Sequence, residues 1–181
     1  MFNFNLINSM KKVLFFAAAA IMMVGCSKDQ VVSEMPQDNA INFGMYFGRD
    51  AQSRAAIMNT TDLESQSFGV FAYYTDGAEY NGTTSPNFMF DQKVTYSAGN
   101  WTYSPLKYWP NEATDKLTFF AYAPHTTGSN GNIALAAGFD NASASAPKIT
   151  YTLDDDQSTH VDLLWATPVE NKTKQTTTEK V

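Results

Sequence analysis

The sequence predicts an all-β chain, an antiparallel β-sandwich of about seven strands with long surface loops. Three observations carry that expectation. Short apolar segments alternate with a period of two, as strands with one buried face do. Clusters of Gly, Asn, Ser and Pro separate the segments, which is the punctuation of an antiparallel sandwich. The composition is rich in Phe, Tyr, Thr, Asn and Gly, with only 17% charged residues, and so favours strands and turns over helices. At 181 residues and 44% hydrophobic content, the chain can bury one sizeable core.

The N-terminus reads as an address. Lys11 and Lys12 form a positive region, and Val13–Met23 an apolar run shorter than the ~20 residues that span a bilayer. The run ends in Met23-Val24-Gly25-Cys26, which resembles a bacterial lipobox. Cys26 is the only cysteine, so disulfides within the chain and cysteine-based metal clusters are excluded, and acylation is the role its position suggests. Two or three acyl chains would anchor it firmly in a membrane. The organisation expected is a signal peptide over 1–25, a polar tether over 26–39, a sandwich domain over 40–170 and a polar tail over 171–181. Net charge is −6, and no basic cluster follows the leader, which argues against nucleic acid as a partner.

Ala40–Gly48 alternates cleanly, with Ile41, Phe43, Met45 and Phe47 on one face. Arg49–Ser65 is polar, holds the chain's only arginines, Arg49 and Arg54, and suggests a helical turn near Thr61–Glu64. Ser67–Tyr74 is apolar on both faces, as a central strand is. After the Thr75–Pro86 loop, Asn87–Tyr96 alternates again, with Phe88, Phe90, Val94 and Tyr96 on one side. Ser97–Asn100 is a hairpin-type turn into Trp101–Tyr103. In Trp101–Pro124, Pro105 and Pro110 argue against a helix. Two extended segments joined by a turn at Asn111–Asp115 fit better, and Lys116–Ala123 is the most apolar strand. His125–Pro147 reads as a long surface loop. Ile149, Tyr151 and Leu153 mark one further strand, and Val161, Leu163 and Trp165 another.

No catalytic constellation, metal site or cofactor motif emerges. His125 and His160 each stand alone among polar residues and read as surface histidines. Asp154, Asp155, Asp156 and Asp162 are close in sequence, but three consecutive aspartates cannot converge on one cation, so a solvated turn is expected. Trp101, Tyr103, Tyr108 and Trp109 could form a sugar-stacking platform, although aromatics spaced along strands more often pack a core.

The motif Trp101-x-Tyr103-x-Pro105-x-Lys107-Tyr108-Trp109-Pro110, followed by Leu117-Thr118-Phe119-Phe120-Ala121-Tyr122-Ala123-Pro124, resembles the fimbrillin-like (Mfa-like) lipoproteins. These are pilin subunits of Bacteroidales type V pili. The segment Asn87–Val94, the lipobox and Val161–Ala166 strengthen the resemblance, which covers nearly the whole mature chain. It implies a transthyretin-like sandwich, acylation at Cys26, and cleavage at Arg54–Ala55, with Arg49–Asp50 as second choice. Cleavage would release the first strand with its core residues Ile41, Phe43, Met45 and Phe47, and a strand from a neighbouring subunit would take its place. The implied location is the outer-membrane surface, then the fimbrium, with other fimbrial subunits as partners. The family's second sandwich, which carries the donor strand, would begin where this sequence stops at Val181. The alternative is an anchored, non-polymerising surface lipoprotein that binds glycans or host proteins.

Overall fold

Two strands buried on both faces form the middle of the molecule. They are β1 (Ser67–Thr75) and β4 (Lys116–Ala123), paired antiparallel from Gly69↔Tyr122 to Thr75↔Lys116. The computed structural model describes residues 39–44, 60–129 and 131–174, all within the unit Asp38–Val181. Among them, eight strands make a six-stranded antiparallel sheet and a two-stranded one. A short helix, α1 (Thr60–Glu64), stands where the sequence suggests a helical turn.

In the large sheet, β2 (Met89–Ser97) lies beside β1, and β3 (Asn100–Thr102) pairs with the end of β2. Ala98 and Gly99, at φ 51° and 84°, form the two-residue turn between them. Positive φ at both central positions is the twist-matched hairpin geometry. On the far side of β4 lie β7 (Leu164–Trp165) and β8 (Val169–Lys172), pieces of one edge strand interrupted at 166–168. β8 continues past position 170, so the expected domain end falls inside a strand.

Alternation along β1 and β4 sends side chains to two cores. Phe68, Val70, Ala72, Leu117, Phe119 and Ala123 join Ile41, Phe43, Leu63 and Trp109 on one face. Phe71, Tyr73, Phe120 and Tyr122 join Ile133 and Phe139 on the other. That second face is covered by the small sheet, β5 (Ile133–Leu135) with β6 (Ile149–Tyr151), whose Leu135, Ile149 and Tyr151 pack inward. Two sheets therefore enclose a core, and the chain is an all-β sandwich as its sequence predicts.

Three local expectations are corrected. His125–Pro147 is more than a surface loop. It contributes β5, a 3-10 turn at Thr126–Gly128, and the buried Ser129, Ile133 and Phe139. The Ser129 hydroxyl donates to the Thr126 carbonyl and accepts the Ile133 N–H, which lets so polar a stretch pack inside. Phe90 and Val94 do not share a face, because the ladder steps from Val70↔Gln92 to Ala72↔Met89 and a bulge absorbs the extra residue. Asp91 sits in that bulge at φ 44°. Finally, Leu164 rather than Leu163 and Trp165 faces the first core, and Trp165 is 44% exposed at the edge, stacked beside Tyr122.

The bulge has a counterpart in β1. A Cβ added at Gly69 would lie 2.3 Å from the Tyr122 ring and 2.8 Å from the Asp91 carboxylate. Only a residue without a side chain leaves room for the two to meet. Gly69→Ala should therefore lower stability by about 1–3 kcal/mol, the usual cost of overpacking. Urea denaturation with an unchanged slope would show it.

Candidate functional site

The site most exposed to functional interpretation is where the first segment meets the sheet. Asn39 and Ala40 enter beside Tyr108, where Ala40 and Tyr108 form an antiparallel bridge. The Trp109 N–H donates to the Asn39 carbonyl and the Ile41 N–H to the Lys107 carbonyl, each at 2.9 Å. Alternation then decides what is buried. Ile41 is 0% and Phe43 5% exposed, while Asn42 between them faces solvent. Phe43 stands in a slot of three rings, 5.3 Å from Tyr103 and 6.1 Å from both Phe68 and Phe119.

The slot opens into an apolar groove of about 500 Å3. Phe43 and Gly44 form one part of its lining, Phe68 and Val70 another, and Ala121, Ala123, Leu164 and Val169 much of the rest. Its walls thus come from β1, β4 and the interrupted edge strand. Of the four expected first-strand core residues, Ile41 and Phe43 occupy buried positions here. Met45 and Phe47 lie outside the described residues, as do Cys26, Arg49, Asp50, Arg54 and Ala55.

The four aromatics considered as a sugar platform are dispersed into packing roles. Trp109 is buried against Phe119, Trp101 lies between Phe68 and Tyr96, and Tyr103 walls the Phe43 slot. Tyr108 pairs with Ala40 through its backbone. They present no shared flat face. No group of three or more metal-ligating side chains exists among the described residues. Asp154 and Asp156 instead accept hydrogen bonds within their own turn, as expected of a solvated one.

His125 differs from its expected surface role. It is 5% exposed, and its Nδ1 accepts the Thr127 N–H at 3.2 Å. That leaves the proton of the neutral ring on Nε2, which lies 3.2 Å from the Asp91 carbonyl and 3.4 Å from its carboxylate. Tyr122 donates its hydroxyl to the same carboxylate. Burial alone would raise the Asp91 pKa, but hydrogen bonds from His125 and Tyr122 outweigh it and hold the carboxyl below its ordinary 3.8. Tyr122 moves the other way, raised by burial and by that acidic neighbour. The cluster ties β2, β4 and the following turn together. Sequence gives no warning of it, because Asp91, Tyr122 and His125 are ordinary in their local contexts. Leu164 and Val169 are likewise inconspicuous until the sheet brings them beside Phe43.

Comparison with known proteins agrees with this architecture. A family model described as fimbrillin-like matches residues 53–181. The chain is 34% identical over 148 residues to Fimbrium subunit Fim1C of Phocaeicola vulgatus, covering 77% of this chain and 38% of that subunit. A crystal structure of a fimbrial protein from Bacteroides vulgatus superposes with a TM-score of 0.61 at 27% identity, over 77% of this chain and 42% of that one. The chain thus spans less than half the length of either relative.

Two outcomes follow from the geometry. Phe43→Ala should destabilise the fold by about 3–5 kcal/mol, the range for emptying a buried phenylalanine site, measurable by chemical denaturation. A carboxylate held below its unfolded pKa stabilises the fold above that value and stops doing so as pH falls through the folded one. The protein should therefore lose stability progressively below about pH 4. Asp91→Asn should be less stable at neutral pH and show a flatter acid branch, read from urea midpoints across that range.

Proposed function

The chain belongs to the fimbrillin-like family, and on that premise we propose that it is a structural fimbrial subunit assembled by strand exchange. In this reading the protein is exported as a lipoprotein, acylated at Cys26 and held at the outer-membrane surface. Cleavage after Arg54, or after Arg49, frees the first segment. In sequence, Met45 and Phe47 continue the alternation of Ile41 and Phe43, and a strand from a neighbouring subunit replaces the whole segment after cleavage.

The observation that carries this reading is the pairing of a buried but lightly tethered segment with an open apolar groove. Ile41 and Phe43 would contribute roughly 1.5–3 kcal/mol each through burial. The described main chain of the segment makes only two backbone–backbone bonds, at Asn39 and Ile41, both to the Lys107–Trp109 link between β3 and β4. Removal of such a segment bares an apolar slot and unpaired backbone groups, the surface to which an extended strand adds. The anchored-adhesin alternative shares the leader and the lipid but leaves the groove without a purpose.

The test is to treat the lipid-free full chain with an arginine-specific protease. Cleavage within 49–54, followed by oligomers or by uptake of a peptide with the 39–48 sequence, is the expected result. An uncut chain, or a cut product that neither oligomerises nor takes up the peptide, would end the exchange reading.

A further inference from the structure

The alternation that buries the first segment does not by itself fix where the segment sits. Ile41, Phe43, Met45 and Phe47 repeat every two residues, so a slip of two keeps every apolar side chain on the same face. Some other contact must distinguish the correct register from its neighbours.

The ladder itself holds such a contact. Where Ile41 and Lys107 face each other, an antiparallel pair exchanges two direct bonds. Only one is direct here, from the Ile41 N–H to the Lys107 carbonyl at 2.9 Å. In place of the other stands the Tyr103 hydroxyl, which accepts the Lys107 N–H at 3.3 Å and donates to the Ile41 carbonyl at 2.8 Å. A side chain is thus inserted into the ladder, closing a cycle of three hydrogen bonds. Among the described residues, it is the side chain from outside the segment that bonds the segment's backbone. The same residue's ring is a wall of the Phe43 slot, two positions on.

We propose that Tyr103 is the positioning residue that sets the register of the first segment. Its hydroxyl replaces one backbone bond at residue 41 and no other position, so the ladder ends there and the chain turns toward the Phe43 slot. Burial raises the Tyr103 pKa and keeps the hydroxyl protonated, a donor throughout the neutral range. A two-residue slip would put a different carbonyl at the hydroxyl and draw Phe43 away from the three rings. Under the exchange reading, on which only this clause rests, the same hydroxyl would read any strand that replaces the segment.

Cross-linking measures register directly. Ala40 and Tyr108 are a non-hydrogen-bonded pair, whose Cα atoms stand about 4.5 Å apart, within disulfide range. In the full chain carrying Cys26→Ser, the pair Ala40→Cys with Tyr108→Cys reports the native register. Ala40→Cys with Leu106→Cys, and Asn42→Cys with Tyr108→Cys, report slips of two in either direction. With Tyr103 present, oxidation should link the native pair far more extensively than either slipped pair, both of which give a small measurable fraction. Tyr103→Phe, which keeps the ring, should lower the ratio of native to slipped links roughly five-fold, what one intramolecular hydrogen bond is worth. Phe43→Leu, which keeps the hydroxyl, should preserve the native link. An unchanged ratio in Tyr103→Phe, or a uniform fall of all three links, would overturn the proposal, as would a slip in Phe43→Leu. All these links are made by the resident segment, so their failure would leave strand exchange to be judged by its own experiment.

Discussion

The β1–β4 ladder is apolar on both faces, and the rest of the structure follows from the need to cover it twice. A strand pair with Phe71, Tyr73, Phe120 and Tyr122 on one side and Phe68, Val70, Leu117 and Phe119 on the other cannot leave either side in water. The chain meets the two demands unequally. One face receives a complete hairpin, β5 with β6, and a turn that brings in Phe139. The other receives a short helix, Trp109 and two residues of the first segment, with a groove beside them. That asymmetry is the physical basis for assigning function to the face that carries Phe43 and the groove.

The polar interior sits at the end of the same ladder. Asp91 is turned inward by a bulge, meets Tyr122 across the space left by Gly69, and faces His125. A buried carboxylate needs such partners, and each strand supplies a different one: an empty side-chain position from β1, a hydroxyl from β4 and an inward turn from β2. The group is a structural knot. Its chemistry is spent on its own neighbours.

Much of this was legible in the sequence where local pattern and packing agree. Lys116–Ala123 has its sequence-read bounds because it is apolar throughout and closed by Pro124, and Ser67–Thr75 extends its expected span by one residue. The family resemblance rests on that same region. Reading fails where a single residue changes the periodicity, as at Asp91, or where side-chain hydroxyls stand in for backbone partners. Ser129 hides a buried turn within a stretch of loop-like composition, and Tyr103 looks like one more aromatic of a hairpin. The candidate site divides in the same way. Ile41 and Phe43 are visible as alternation, whereas the groove is assembled from β1, β4 and an edge strand far along the chain, and no local pattern announces such a surface.

The cycle joining Ile41, Lys107 and Tyr103 has a mechanical side. Antiparallel hydrogen bonds lie perpendicular to their strands. Tension applied along the first segment therefore loads the bonds at Asn39, Ile41 and Tyr103 in shear, all together. Lifting the segment from its far end, at Phe43, strains them one after another, beginning with the hydroxyl. The attachment resists pulling along its length far better than peeling, so the direction of a force, and not only its size, decides whether the segment stays.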